Sequence, residues 1–107
     1  PNMYTALEKL FEGSFEEYGL HTDIPQEVSL QGIEVRDGIA YVDLSVDSID
    51  TINDQNIIEG MAKNIALTLS QFEDIDKVEM LIDGKNFEEV GLDFECDEAI
   101  PAFANHY

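Results

Sequence analysis

Alternating apolar and polar residues predict two β-strands, over residues 28–36 and 39–46. The Asp37-Gly38 dipeptide lies between them and favours a two-residue turn with positive φ angles. Such a turn fixes which residues face each other across the hairpin. It places four apolar side chains on one face, which we expect to be buried: Ile33, Val35, Ala40 and Val42.

The first strand changes phase before it reaches this turn. Val28 and Leu30 have the opposite parity to Ile33, so in a regular strand they would point away from the core. One additional residue restores the alternation. We therefore predict a β-bulge at Gln31-Gly32, where two residues oppose Asp43 on the second strand.

Two helices and a third strand complete the predicted framework. Apolar residues at helical spacing indicate a helix over 3–12, and Gly13 stands where helices commonly end. Ser14 is a candidate cap for a further short helical turn. A second amphipathic helix is predicted over 55–72, with an apolar stripe that must cover the sheet. Residues 77–83 alternate again and predict the third strand.

This order of elements predicts one α+β domain over residues 1–107. A strand, a helix and a strand in succession imply a right-handed crossover between parallel strands. We therefore expect a mixed three-stranded sheet with the helices on one of its faces. The apolar pattern weakens over residues 84–107, where we expect an irregular tail.

The charge balance narrows the class of partner. Five basic residues stand against twenty-four acidic ones, and the formal net charge is −19. Binding to a phosphate backbone needs the opposite sign, so we predict no nucleic-acid partner. An anionic membrane surface is disfavoured for the same reason, whereas a basic protein partner is compatible with this charge.

The sequence carries little information about the cellular compartment of the protein. Cys96 is the single cysteine, so no internal disulfide is possible, and no apolar run approaches membrane-spanning length. The chain begins at Pro1 rather than methionine. We therefore expect a processed or trimmed piece of a longer protein, with any membrane anchor outside this chain.

One flank of the second helix is a candidate partner-binding patch. Leu67 projects away from the apolar stripe and lies beside Gly60, Asn64 and Gln71 at helical spacing. The alternative is that the first helix or a loop of the same chain covers this flank.

Potential metal ligands do not form a recognisable motif. Four carboxylates near the second strand could offer oxygen atoms to calcium: Asp43, Asp47, Asp50 and Asp54. Their spacing lacks the rhythm of a calcium-binding loop, and helix capping explains them as well. His21 and His106 lie too far apart in sequence to indicate a ligand pair. We predict no metal and no cofactor, and keep a divalent-cation-binding domain as the alternative function.

Catalytic residues are equally hard to find. Glu16 with Glu17, or Glu88 with Glu89, would have to act as a carboxylate pair, but adjacent residues do not face each other on a helix or strand. No nucleophile motif is present. We therefore predict no catalytic residues, and a hydrolytic enzyme ranks third among the possible functions.

The combination of motifs resembles the GerMN domain, the sporulation and spore germination module. The resemblance rests on the hairpin Gly-Ile-Glu-Val-Arg-Asp-Gly-Ile-Ala-Tyr-Val-Asp-Leu-Ser over 32–45 and the helix end Ala-Leu-Thr-Leu-Ser-Gln-Phe over 66–72. It also includes Val-Glu-Met-Leu-Ile-Asp-Gly over 78–84. Each motif is weak alone, but together they extend the similarity from about Met3 to about Pro101.

This resemblance implies a small sandwich like the α-β-β-α-β ring-building motif of secretion-type channel proteins. It also implies a noncatalytic binding or assembly module of a bacterial envelope lipoprotein or membrane-anchored protein, located outside the cytoplasm. Family members usually carry a strand before the first helix, and none precedes Pro1. If that strand was removed, an open sheet edge could pair with another chain, so we hypothesise a protein partner or self-association through this edge.

Overall fold

A computed structural model describes residues 2–13 and 22–101 of the chain. Its main elements are α1 (Met3–Glu12), β1 (Val28–Arg36), β2 (Ile39–Val46), α2 (Gln55–Leu69), β3 (Lys77–Ile82) and β4 (Asp97–Ala99). Short 3₁₀ turns span Ile49–Thr51 and Glu88–Val90. The strands form one sheet in the order β1-β2-β3-β4. The short helical turn expected after Ser14 lies outside the described residues.

The hairpin has the predicted turn and register. Asp37 and Gly38 have φ angles of 52° and 80°, as a two-residue turn of this type requires. Val35 pairs with Ala40, and each further pair toward Gly32 follows the predicted order. The register then shifts between Leu30 and Gly32, so the predicted β-bulge is confirmed.

The core lies between one face of the sheet and the two helices. β2 and β3 are parallel, as the crossover rule predicts. They contribute alternate side chains to the buried face: Ala40, Val42, Leu44, Val78, Met80 and Ile82. The helices contribute Leu7, Leu10, Ile58, Met61, Ala62, Ile65, Ala66 and Leu69. The mixed α+β class with helices packed on the sheet therefore holds.

Within residues 2–13 and 22–101, the sheet has four strands rather than the three predicted. β4 pairs antiparallel with β3, from Lys77 opposite Ala99 to Glu79 opposite Asp97. The tail expected to be irregular thus contains a strand and a 3₁₀ turn among its described residues. The sequence Asp-Glu-Ala carries no alternating apolar signal, so β4 could not be predicted from it. Its ladder to β3, rather than strand propensity, holds it in the sheet.

Two element ends also differ from the prediction. α2 ends at Leu69 instead of residue 72, because Ser70 N and Phe72 N donate to carbonyl oxygens three residues earlier and tighten the last turn. β3 ends at Ile82 instead of residue 83, since Asp83 adopts a φ of 50° and begins a turn.

Val35 and Ile33 are less buried than predicted. Val35 lies on the same face as Val42 but is 41 % exposed, whereas Ile33 is half-buried and Val42 is fully buried. Among the described strands, β1 lies at the edge of the sheet with β2 as its neighbour, and Val35 lies near its end. Position on the inner face therefore does not bring full coverage by the helices.

The two valines provide a matched test of this difference. We expect Val42→Ala to lower the free energy of unfolding by about 1 to 4 kcal/mol, because it opens a cavity in the core. The same substitution at Val35 should change it by less than about 0.5 kcal/mol, as at other exposed positions. Urea denaturation measures both values, and equal losses would contradict the burial difference.

Candidate functional site

The predicted partner-binding patch forms a continuous stripe along one flank of α2 and the turn that follows it. Leu67 is 53 % exposed, and Gln71 is also exposed, with its Nε2 donating a hydrogen bond to the Thr68 carbonyl. These two side chains face solvent together. They form the accessible end of the stripe.

The other end of the stripe contacts the chain itself. Asn64 Oδ1 accepts hydrogen bonds from Asp23 N at 2.7 Å and from Thr22 Oγ1 at 3.3 Å. Gly60 allows the same segment to approach, since a Cβ there would lie 2.8 Å from Asp23 Cβ. Gly60 and Asn64 therefore hold the segment before β1, and any partner contact they make would be shared with that segment.

Two of the four carboxylates considered for calcium, Asp43 and Asp54, make structural hydrogen bonds. Asp43 Oδ1 accepts a 2.7 Å hydrogen bond from Gly84 N, and Asp54 Oδ1 caps α2 through the amides of Asn56 and Ile57. Among residues 2–13 and 22–101, no group of three or more His, Cys, Asp or Glu is arranged to hold a metal ion. His21 and His106 lie outside those ranges.

Cys96 is half-buried beside acidic side chains. Burial raises the pKa of its thiol, and the charges of Glu79 and Asp97 raise it further, although Lys77 acts in the opposite direction. The thiol is therefore held in its neutral form, which is the less nucleophilic one. This environment is typical of a packed cysteine rather than a reactive one.

A groove that the sequence analysis missed lies between α2 and the segment that leads into β4. Its volume is about 420 Å³. We call it the α2–β4 groove, and its lining residues are Gln55, Ile58, Glu59, Ala62, Asp93, Phe94, Glu95, Asp97 and Glu98. The dense carboxylates over residues 93–98 were a signal for it, but its position depends on β4, which was not predicted.

A second, more open groove lies at the β1 edge of the sheet. Its apolar lining comes from the start of α1, from β1 and from the turn after α2: Met3, Tyr4, Ile33, Val35 and Phe72, with Asn2 at one end. Tyr4 and Val35 are both exposed. Among the strands of residues 2–13 and 22–101, β1 has only β2 as a neighbour, so this is an edge at which the hypothesis of strand pairing can be tested.

Comparison with known proteins places this architecture in a family. The family model for sporulation and spore germination, named Germane, matches residues 2–88. The chain belongs to the Germane family. Since that match covers α1 to β3, the resemblance to the GerMN domain, which is the same family, is confirmed.

A solved structure shows the same fold as this Germane domain. It is the 2.5 Å crystal structure of a candidate lipoprotein from Clostridium perfringens, with a TM-score of 0.67 and 19 % sequence identity. The alignment covers 94 % of this chain and 67 % of that one. No curated protein sequence matches the chain at a significant level. Within the described part of the Germane domain, no helix is long and apolar enough to cross a membrane.

The hydrogen bonds of Asn64 predict a local effect of its removal. We expect Asn64→Ala to remove the hydrogen bond donated by the Asp23 amide and to raise the hydrogen-exchange rate of that amide by about fivefold, since a typical hydrogen bond contributes roughly 1 kcal/mol. The helix propensity of alanine offsets part of the loss in global stability, so exchange is the decisive readout.

Lys63→Ala is the matched control for this experiment. Lys63 is exposed one residue earlier on the same helix, so this variant places alanine in the same helical turn without removing the acceptor of the Asp23 amide. It should leave exchange at Asp23 unchanged. Equal exchange in the two variants would contradict the role of Asn64 in holding the segment before β1.

Proposed function

We propose that this chain is a noncatalytic binding or assembly module of a bacterial envelope protein that acts in sporulation or spore germination. The observation that carries the proposal is the family match over residues 2–88, which includes both helices and the central strands. The fold of the Clostridium perfringens neighbour supports it.

We place the module outside the cytoplasm, in a lipoprotein or membrane-anchored protein. The neighbour with the same fold is described as a candidate lipoprotein, which supports this placement.

The partner we propose is a protein. Leu67 and Gln71 offer an exposed contact on α2, while Asn64 and Gly60 shape it through the segment they hold. A net charge of −19 favours a basic partner surface and opposes nucleic acid. The exposed Leu67 is the position at which a single substitution should be most informative, because a charge introduced there would be left unpaired in an apolar contact.

Genetic replacement in the bacterium that carries the gene tests this function. We expect deletion of residues 2–101 from the full-length protein to lower the yield of heat-resistant or germinating spores by about tenfold or more. Leu67→Glu should reproduce most of the loss, because it puts a charge at the contact. Lys9→Gln, an exposed control on α1 with the same change in net charge, should not.

Cell fractionation completes the test. The Leu67→Glu and Lys9→Gln proteins should both appear in the membrane fraction at wild-type amounts. Normal sporulation and germination of the deletion strain would contradict the proposed function. Recovery of the full-length protein only in the cytosol would contradict the proposed location.

Self-association through the β1 edge is the second interaction we propose. Exposed Val35 and Tyr4 form an apolar border beside this strand, which supports pairing with another copy. Light scattering should then show a mass that rises with protein concentration, and Val35→Lys should abolish the rise. A monomeric mass at every concentration up to about 1 mM would overturn this proposal.

A further inference from the structure

The α2–β4 groove combines an apolar floor with an acidic rim. Ile58 and Ala62 are buried at its base, and Phe94 is half-buried beside them. Five carboxylates surround this floor: Glu59, Asp93, Glu95, Asp97 and Glu98. Among them, Asp97 forms an ion pair with Lys77 at 3.4 Å, on the side of β3. The groove therefore offers contact for apolar side chains within a strongly negative surround.

The groove also runs along an edge of the sheet. In the sheet formed by the described residues, β4 has β3 as its neighbour on one side. Met80 N donates to Cys96 O at 2.7 Å, and Ile100 N donates to Asp76 O at 2.9 Å, so Cys96 and Ile100 turn their backbone groups toward β3.

Within β4, the backbone groups of Glu98 face β3, and those of Asp97 and Ala99 point the other way. Antiparallel ladders alternate, so the amides and carbonyls of Asp97 and Ala99 are directed away from β3. Asp97 lines the groove, so a further strand lying there could pair with this edge of β4. An edge strand beside a helix is the arrangement that binds extended peptides by strand addition.

Charge decides what kind of strand fits. A second copy of this chain carries a net charge of −19 and would bring more carboxylates to an acidic rim, so copies repel each other here. A segment that alternates apolar and basic residues meets both requirements. Its apolar side chains would face Ile58 and Phe94, and its lysine or arginine side chains would meet the rim carboxylates.

We propose that the α2–β4 groove binds an extended basic segment of a partner protein, which adds to β4 as a further strand. This inference rests on the proposed function as a binding module and specifies the chemistry of the partner. It involves a surface separate from Leu67, so the two can be tested independently.

Peptide titration tests the groove directly. The probe is a fluorescein-labelled nonapeptide of alternating lysine and valine, measured by fluorescence anisotropy and by ¹H–¹⁵N spectra of the full chain. We expect saturable binding, with the largest amide shifts at Asp97, Ala99 and Ala62. A peptide N-methylated along one edge keeps its charge but loses backbone donors, so it should bind at least about tenfold more weakly.

Two triple variants separate local from overall charge. Glu59→Gln/Glu95→Gln/Glu98→Gln neutralises the rim, and Glu8→Gln/Glu12→Gln/Glu73→Gln neutralises the same number of exposed carboxylates elsewhere. The rim variant should lose about tenfold or more in affinity, and the control should lose less than about threefold. Dispersed amide spectra confirm that each variant is folded.

Three results would overturn the proposal. They are absence of saturable binding by the wild type, equal losses in the two triple variants, and equal binding of the N-methylated peptide. Each result would refute only the proposed peptide binding at the groove, because the spore yield of the deletion strain tests the proposed function without the peptide. If the domain is needed for sporulation but does not bind the peptide, the proposed function stands and only the assignment of the groove falls.

Discussion

The Asp37-Gly38 turn is the constraint on which the rest of the sheet depends. Its positive φ angles set the pairing of β1 with β2. The Gly38 carbonyl also accepts hydrogen bonds from Asp76 N at 2.7 Å and Lys77 N at 3.4 Å, so the turn anchors the start of β3. At the other end, Asp83 N donates to Leu44 O. One turn thus sets two strand registers, and the bulge corrects the parity of the residues furthest from it.

This dependence explains which parts of the fold could be predicted from sequence. Turn chemistry and side-chain parity are local, so they specify the hairpin, the bulge and the parallel partner without further information. β4 could not be found in this way, because Asp97–Ala99 pairs through tertiary contacts and carries no alternating pattern. The exposure of Val35 was missed for a related reason, since parity gives the face of a strand but not how far the helices extend over it.

The candidate site also has features that could be predicted from the sequence and features that could not. Helical periodicity correctly grouped Gly60, Asn64 and Leu67 on one flank, which is a local property of α2. It could not reveal that Asn64 accepts hydrogen bonds from Thr22 and Asp23, which lie 42 and 41 positions earlier in the chain. The α2–β4 groove is still less predictable, because its walls come from a helix and a strand that periodicity alone never brings together.

The two edges of the sheet present different surfaces to another chain. β1 is long and is bordered by exposed Val35 and Tyr4, which suits the proposed pairing with another copy. β4 is short, and acidic side chains line the groove beside it. In the proposed binding mode, the carboxylates beside β4 repel other copies of the same chain and attract a basic strand. That edge would then combine protection from self-pairing with selectivity for a basic partner.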